Sequence, residues 1–186
     1  MEIILFRHGK VDHPPVTIIS AQAFSRWVQA YNANGLDAES KPPEEAKQRA
    51  CASSAVVCSE LPRSIASVKL LSSQPVTLQH EMFNEAGLPI AGWERIRLSV
   101  RIWAILFRVM WLFGYSKNSE SFEDAKNRGA QAADMLIELA QEHPSVTFVG
   151  HGVFNRIVAK ELRLRGWIGP RSPGSNYWDY AVYTNT

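Results

Sequence analysis

Cationic and imidazole side chains follow short apolar segments at three places in the sequence. They are Arg7 and His8 after Ile3–Phe6, Arg63 after Ala55–Cys58, and His151 after Val146–Val149. An arginine guanidinium stays charged and matches the geometry of phosphate oxygens, and an imidazole is a nucleophile when it is neutral. Residues of these types, brought together, suit the binding and attack of a dianion such as a phosphoryl group.

The three apolar segments are short and rich in β-branched residues, which predicts buried strands. Each is followed by a loop or by the start of a helix, and this alternation predicts parallel pairing. Parallel strands present their carboxyl ends at one edge of a sheet, where ligands bind in open α/β sheets. We therefore expect the side chains to converge, with His8 as a nucleophile and Arg7 holding the anion that it attacks.

Helical periodicity separates the strands. Helices are expected over about 20–34, 59–71, 121–142 and 153–164, further strands over 75–78 and 180–184, and a loop over 10–15. Ser59 is expected to cap its helix, which places Arg63 near a helix N-terminus, where backbone N–H groups favour an anion. Together these elements predict an α/β fold with a mostly parallel sheet.

The segment from about 93 to 114 is apolar nearly all the way round a helix. Its exceptions are Arg97, Arg101 and Arg108, which fall in one narrow stripe at 100° per residue. Arginines inside the segment make insertion into a bilayer costly, so contact with a membrane is not expected. We expect a buried or half-buried helix whose stripe faces solvent or a pocket. The alternatives are a membrane-surface helix and an oligomer contact.

Length and composition indicate one globular domain over 1–186, in which the apolar segment at about 93–114 is a candidate cap over a pocket. The chain has 186 residues, of which 46% are hydrophobic and 20% charged. A formal net charge of +2 does not indicate a nucleic-acid partner. Cys51 and Cys58 lack the partners of a zinc site, so no metal is predicted. Met1 leads directly into the first strand with no basic signal region, so we expect a cytoplasmic protein.

Three motifs in order resemble the histidine phosphatase superfamily, also called the phosphoglycerate mutase-like family. They are Arg7–Gly9 at the end of the first strand, Ser59–Ser64 with its arginine, and Val149–Val153 around the second histidine. The resemblance covers the whole chain in order and spacing, and the three motifs together are far more specific than Arg-His-Gly alone. It implies a three-layer α/β/α sandwich with a mostly parallel central sheet and no cofactor.

The resemblance also implies a mechanism and a partner. His8 attacks phosphorus and carries it as phosphohistidine, and Arg7, Arg63 and His151 hold the equatorial oxygens. A glutamate after the third strand serves as the acid, which by position is Glu85, with Glu81 as the alternative. The partner is then a small phosphorylated substrate or a phosphoprotein, and the activity is a metal-independent phosphomonoesterase.

One departure from the superfamily's pattern bears on the activity. Many members follow Arg-His-Gly with Thr or Ser, an acidic residue and Asn, whereas Lys10, Val11, Asp12 and His13 stand here. This departure and the short chain favour a phosphatase over a mutase. Two alternatives remain, which are a phospholigand-binding module with weak or no turnover and a phosphohistidine phosphatase acting on a protein.

Overall fold

Strands and helices alternate along most of the chain, as the sequence predicts. The computed structural model describes residues 1–13, 15 and 18–185. The strands are β1 (Glu2–Arg7), β2 (Ile18–Ser20), β3 (Ala55–Cys58), β4 (Leu78–Gln79), β5 (Arg97–Ser99), β6 (Ser145–Gly150) and β7 (Tyr180–Thr184). The helices are α1 (Ala21–Ala33), α2 (Glu44–Cys51), α3 (Pro62–Leu71), α4 (Val100–Leu112), α5 (Phe122–Glu142) and α6 (Gly152–Leu164), with a 3₁₀ turn at Glu81–Phe83.

The main sheet has five strands in the order β4-β3-β6-β1-β7. Four of them are parallel, and β7 runs antiparallel to β1 at one edge. Parallel pairing of β3, β6 and β1 places their carboxyl ends together, because each connection carries a helix back to the start of the next strand. The predicted mostly parallel sheet is confirmed.

Alternate residues of β1 enter different hydrophobic cores on the two faces of the sheet. Ile3 and Leu5 are fully buried in the core that α5 and α6 cover. Ile4 and Phe6 are fully buried in the core that α2 and α3 cover. A strand that is apolar at every position needs helices on both faces, and the three layers supply them.

The long helix predicted from about 93 is wrong at its start. Arg97–Ser99 forms β5, which pairs antiparallel with β2, and α4 begins at Val100 with Ser99 as its N-cap. The hydroxyl of Ser99 accepts a hydrogen bond from the backbone N–H of Ile102. Arg97 therefore belongs to a strand, and the predicted stripe of three arginines on one helix is wrong for this residue.

Two smaller predictions are also corrected. The helix after β3 begins at Pro62 with Leu61 as its N-cap, so Ser59 does not cap it. The third strand lies at Leu78–Gln79 rather than at 75–78, because only these two residues continue the ladder beside β3. Pro14, in the loop predicted over 10–15, lies outside the described residues.

Apolar side chains lie on two sides of α4. Trp103, Phe107 and Trp111 are buried, and Phe107 stacks against Phe24 of α1 with ring centroids 5.8 Å apart. Other side chains of the helix are exposed, namely Ile102, Ile105, Val109 and Leu112. In the part of the chain that the structure describes, no helix has the length and apolar character to cross a membrane.

Candidate active site

The carboxyl ends of β1, β3 and β6 lie side by side, because these strands are parallel neighbours. Arg7 ends β1 and His8 follows it. Ser59 comes directly after β3, and His151 after β6. Arg63 is the second residue of α3, the helix that follows β3. The predicted convergence of two arginines and two histidines at one sheet edge is what the structure contains.

His8 is buried, and its ring has a defined orientation. The Nδ1 atom lies 2.7 Å from the carbonyl oxygen of Gly9. A carbonyl oxygen only accepts hydrogen bonds, so Nδ1 carries the proton and Nε2 keeps its lone pair in the neutral ring. Burial, Arg63 and Arg7 together lower the pKa of His8 from 6.5 to about 3, although the bond to Gly9 opposes the shift. At neutral pH His8 is therefore a neutral imidazole with a nucleophilic nitrogen.

His151 lies beside His8, with ring centroids 5.1 Å apart. It is fully buried, and burial followed by the charge of Arg63 lowers its pKa well below the ordinary value. Its Nε2 is 2.7 Å from the hydroxyl of Ser59. Among the described residues its Nδ1 has no hydrogen-bond partner. Ser59 thus orients a histidine of the site instead of capping a helix.

Asn155 fixes the backbone that carries His151. Its Oδ1 accepts a hydrogen bond of 3.0 Å from the backbone N–H of His151, and its Nδ2 donates one of 2.8 Å to the carbonyl of Phe6. The side chain thereby ties the end of β6 to the end of β1. The sequence analysis missed Asn155, and its only signal was an amide four residues after the histidine.

Arg63 is a buried guanidinium, 1% exposed. It donates a hydrogen bond of 3.1 Å to Oδ1 of Asn32 and lies over the ring of Tyr31, 5.0 Å from its centroid. Its Nε has no hydrogen-bond partner among the described residues. A buried cation with an unused N–H group is a strong site for an anion.

Arg7 faces the N-terminus of α6 across Gly152. A Cβ atom on Gly152 would lie 3.5 Å from Nε of Arg7, so the guanidinium is in van der Waals reach of the first residue of the helix. Arg7 also lies over the ring of Tyr177, 4.7 Å from its centroid, and donates to the carbonyl of Ser175. In the described part of the chain, neither Arg7 nor Arg63 forms an ion pair.

Glu85 lies at the N-terminus of α6. Its Oε1 accepts a hydrogen bond of 2.8 Å from the backbone N–H of Phe154, and its Oε2 accepts one of 3.2 Å from that of Val153. Glu85 lines a cavity of about 360 Å³ together with Arg7, His8 and Arg63. Glu81 is exposed in the 3₁₀ turn and does not line this cavity. The geometry favours Glu85 over Glu81 as the carboxyl group near His8.

Side chains of the types that bind metals are scattered. Across residues 1–13, 15 and 18–185, no group of three or more His, Cys, Asp or Glu side chains is arranged to hold a metal ion. Cys51 and Cys58 are both free thiols, and burial raises the pKa of Cys58 to about 11. Independence from metals stays a prediction for experiment.

Solved structures of phosphatases resemble this chain, whereas neither family models nor curated proteins match it. A mycobacterial glucosyl-3-phosphoglycerate phosphatase in complex with VO3 is 17% identical over 97% of this chain and 91% of that chain, with a TM-score of 0.60. The α-ribazole phosphatase from Shigella flexneri is 18% identical over 87% and 79%, with a TM-score of 0.53. A phosphoserine phosphatase variant from Entamoeba histolytica, in complex with phosphoserine, is 15% identical over 88% and 80%, with a TM-score of 0.51.

The chain has the fold of these phosphatases. Their fold is the phosphoglycerate mutase-like one, so the predicted three-layer α/β/α sandwich is confirmed. The resemblance that the three sequence motifs indicated is therefore confirmed at the level of the fold.

Two arginines clamp the loop that carries Glu85 in this phosphatase fold. Arg128 of α5 donates hydrogen bonds of 2.6 and 2.9 Å to the carbonyls of Met82 and Asn84. Arg108 of α4 donates bonds of 3.0 Å to the carbonyls of Ala86 and Gly87. Both arginines therefore donate to backbone carbonyls on either side of Glu85. These bonds hold the loop and fix the position of Glu85 relative to α6.

The sequence analysis missed this clamp, although Arg108 was singled out. Arg108 is largely buried, and its guanidinium lies 4.5 Å from the centroid of the Trp111 ring. Arg101, seven residues before it, is exposed and lines an outer groove with Arg156. The stripe was expected to face solvent or a pocket. Arg101 faces solvent, and Arg108 lines the cavity that Glu85 also lines.

The lowered pKa of His8 makes stability depend on pH. Its folded pKa of about 3 lies below the unfolded value of 6.5, so the unfolded chain binds more protons between these values. The stabilisation is present above pH 6.5 and is lost as the pH falls toward 3. Between pH 6 and 4, we expect the free energy of unfolding of the wild type to fall by about 1.4 kcal/mol per pH unit more than that of a His8→Gln variant. Urea titrations of both proteins at several pH values measure this difference. An equal dependence of the unfolding free energy on pH in the two proteins would contradict it.

Removal of the Arg108 clamp should loosen the loop around Glu85. In Arg108→Met the carbonyls of Ala86 and Gly87 lose their donors, and a hydrogen bond to a charged group stabilises by about 1.5–3 kcal/mol. We expect backbone amides in residues 83–88 to exchange hydrogen about tenfold faster or more. Arg101→Met is the matched control, because Arg101 is exposed on the same helix. Equal exchange in the two variants would show that Arg108 does not hold the loop.

Proposed function

We propose that the protein is a metal-independent phosphomonoesterase of the histidine phosphatase superfamily that works through a phosphohistidine on His8. The observation that carries the proposal is a buried His8 whose Nδ1 is held by the carbonyl of Gly9, which leaves Nε2 available, in one cavity with Arg7 and Arg63, whose Nε atoms have no partner among the described residues. The similar solved structures are named as phosphatases of three different phosphomonoesters, which supports the same reaction class.

In the proposed first step, Nε2 of His8 forms a bond to phosphorus while the bond from phosphorus to the leaving oxygen breaks. Protonated Glu85 gives its proton to the leaving oxygen, so an alcohol departs and phosphohistidine remains. In the second step Glu85, now a carboxylate, takes a proton from water as the water oxygen attacks phosphorus. The bond to His8 breaks, phosphate leaves, and both side chains return to their starting state.

Arg7, Arg63 and His151 are proposed to hold the three non-bridging oxygens in both steps. The two guanidinium groups have unused buried Nε–H groups, and His151 has an unpartnered Nδ1. Donors that are fixed before the reaction stabilise the charge of the transferring group without reorganisation. Ser59 and Asn155 act as positioning residues for His151.

The walls of the cavity favour a small substrate over a phosphoprotein. Residues of α1 and of α4, among them Tyr31 and Ala104, line the cavity over His8. A phosphatase of protein phosphohistidine needs an open and shallow site, whereas these helices form walls. We propose that the segment at about 93–114 acts as the cap, within a single domain. A cytoplasmic location stays a prediction.

The proposed reaction is tested with p-nitrophenyl phosphate in the presence of EDTA. We expect the wild type to hydrolyse the ester, and His8→Ala to lose at least about 10³-fold in kcat, because the nucleophile is absent. His143→Ala, at the C-terminal end of α5, is the matched control and should stay within about twofold of the wild type. Turnover that survives intact in His8→Ala would rule out this nucleophile. Tight phosphate binding without turnover would favour a phospholigand-binding module instead.

The acid is tested by exchanging each candidate glutamate for glutamine. We expect Glu85→Gln to lower kcat by about 10²–10⁴-fold, the usual contribution of a general acid–base group. Glu81→Gln should stay within about twofold, because Glu81 is exposed outside the cavity. Steady-state kinetics with an alkyl phosphate, whose leaving group needs a proton, shows the contrast most clearly. A larger loss in Glu81→Gln would reverse the assignment.

A further inference from the structure

The part of the cavity beyond the phosphate-binding groups is walled by apolar side chains. The partly exposed apolar residues among them are Trp27 and Val28 of α1, Leu88, and Ala104 of α4. From this wall we infer that the preferred substrate is a phosphomonoester whose leaving group is uncharged, largely apolar and about the size of one aromatic ring. The inference rests on the proposed phosphatase function and specifies its substrate class.

Several polar groups that line the same cavity are engaged within the protein. Oδ1 of Asn32 accepts from Arg63, and Oδ1 of Asn84 accepts a 3.2 Å bond from the backbone N–H of Glu60. Arg108 donates to two backbone carbonyls, and Glu85 accepts from the first turn of α6. These groups offer the hydroxyls of a sugar or glycerol phosphate fewer free partners than water does, which costs binding energy.

The aromatic row on α1 offers a surface for a flat group. The ring of Trp27 is 5.9 Å from that of Phe24 and 5.1 Å from that of Tyr31, with nearly parallel planes in both pairs. An aromatic ring packed against the partly exposed Trp27 and Tyr31 side chains removes apolar surface from water. The wall therefore favours a ring over a polyol of similar size.

The cavity has room for a ring beside the phosphoryl group. Its volume is about 360 Å³, within the range of ligand pockets.

Benzyl phosphate and glycerol 3-phosphate give the sharpest test, with glucose 6-phosphate as a second polyol ester. All three esters release a primary alcohol, so a difference in kcat/KM reports on the leaving-group pocket rather than on leaving-group acidity. We expect benzyl phosphate to have a kcat/KM about tenfold or more above both polyol phosphates, in the range that apolar pockets discriminate.

Variants of Trp27 locate the preference. We expect Trp27→Ala to lower the ratio of kcat/KM for benzyl phosphate to kcat/KM for glycerol 3-phosphate by about tenfold. Trp27→Phe keeps the aromatic wall and should retain most of the preference. Trp93→Ala is the matched control, because Trp93 packs against Trp103 and Phe107 but does not line the cavity.

Three results would contradict the inference in different ways. Equal or higher kcat/KM for the polyol phosphates in the wild type would reject the apolar leaving group while leaving the phosphatase function intact, and this comparison needs no variant to fold. Absence of turnover with p-nitrophenyl phosphate and with all three esters would reject the proposed function and the inference together. Loss of the preference in Trp93→Ala but not in Trp27→Ala would contradict the placement of the ring.

Discussion

The buried charge of Arg63 is the constraint around which the site is built. A guanidinium without a carboxylate in direct contact is costly to bury, and the Asn32 side chain, the carbonyl and ring of Tyr31 and the more distant charge of Glu85 offset part of that cost. Burial, together with the charge of Arg63, lowers the pKa of His8 and of His151, so both rings are neutral at neutral pH. In the proposed function, a phosphoryl dianion would supply the missing negative charge. The folded protein would then hold its cations in place for the substrate before it binds.

Helix α4 belongs to the proposed cap, lines the cavity and contacts the loop that carries Glu85. Its buried face packs on α1, and Arg108 on the same helix reaches the carbonyls on either side of Glu85. Displacement of this helix would therefore change both the wall of the cavity and the position of Glu85. In this way a segment that contributes no reacting atom helps to set the geometry of the proposed reaction and its preference for leaving groups.

The strands that carry the site could be predicted because local sequence is enough to specify them. Ile3–Phe6 and Ala55–Cys58 are apolar at every position, which indicates burial on both faces whatever lies elsewhere in the chain. The helix at 93–113 was extended too far because the residues of β5 pair with β2, about 80 positions earlier, and no local pattern reveals that partner. Ser59 fits an N-cap by type, but its partner is His151, 92 positions away. The clamps on the Glu85 loop were missed for the same reason, since they join residues that are far apart in sequence.

The central claim is that His8 carries the phosphoryl group, and a covalent adduct tests it most directly. The wild-type protein is mixed with p-nitrophenyl phosphate, quenched in alkali within the first turnovers and digested for peptide mapping by mass spectrometry under conditions that preserve phosphohistidine. The account predicts an acid-labile phosphoryl group on His8 that disappears when excess substrate is exhausted. Turnover with no adduct, or with the phosphoryl group on another residue, would contradict it.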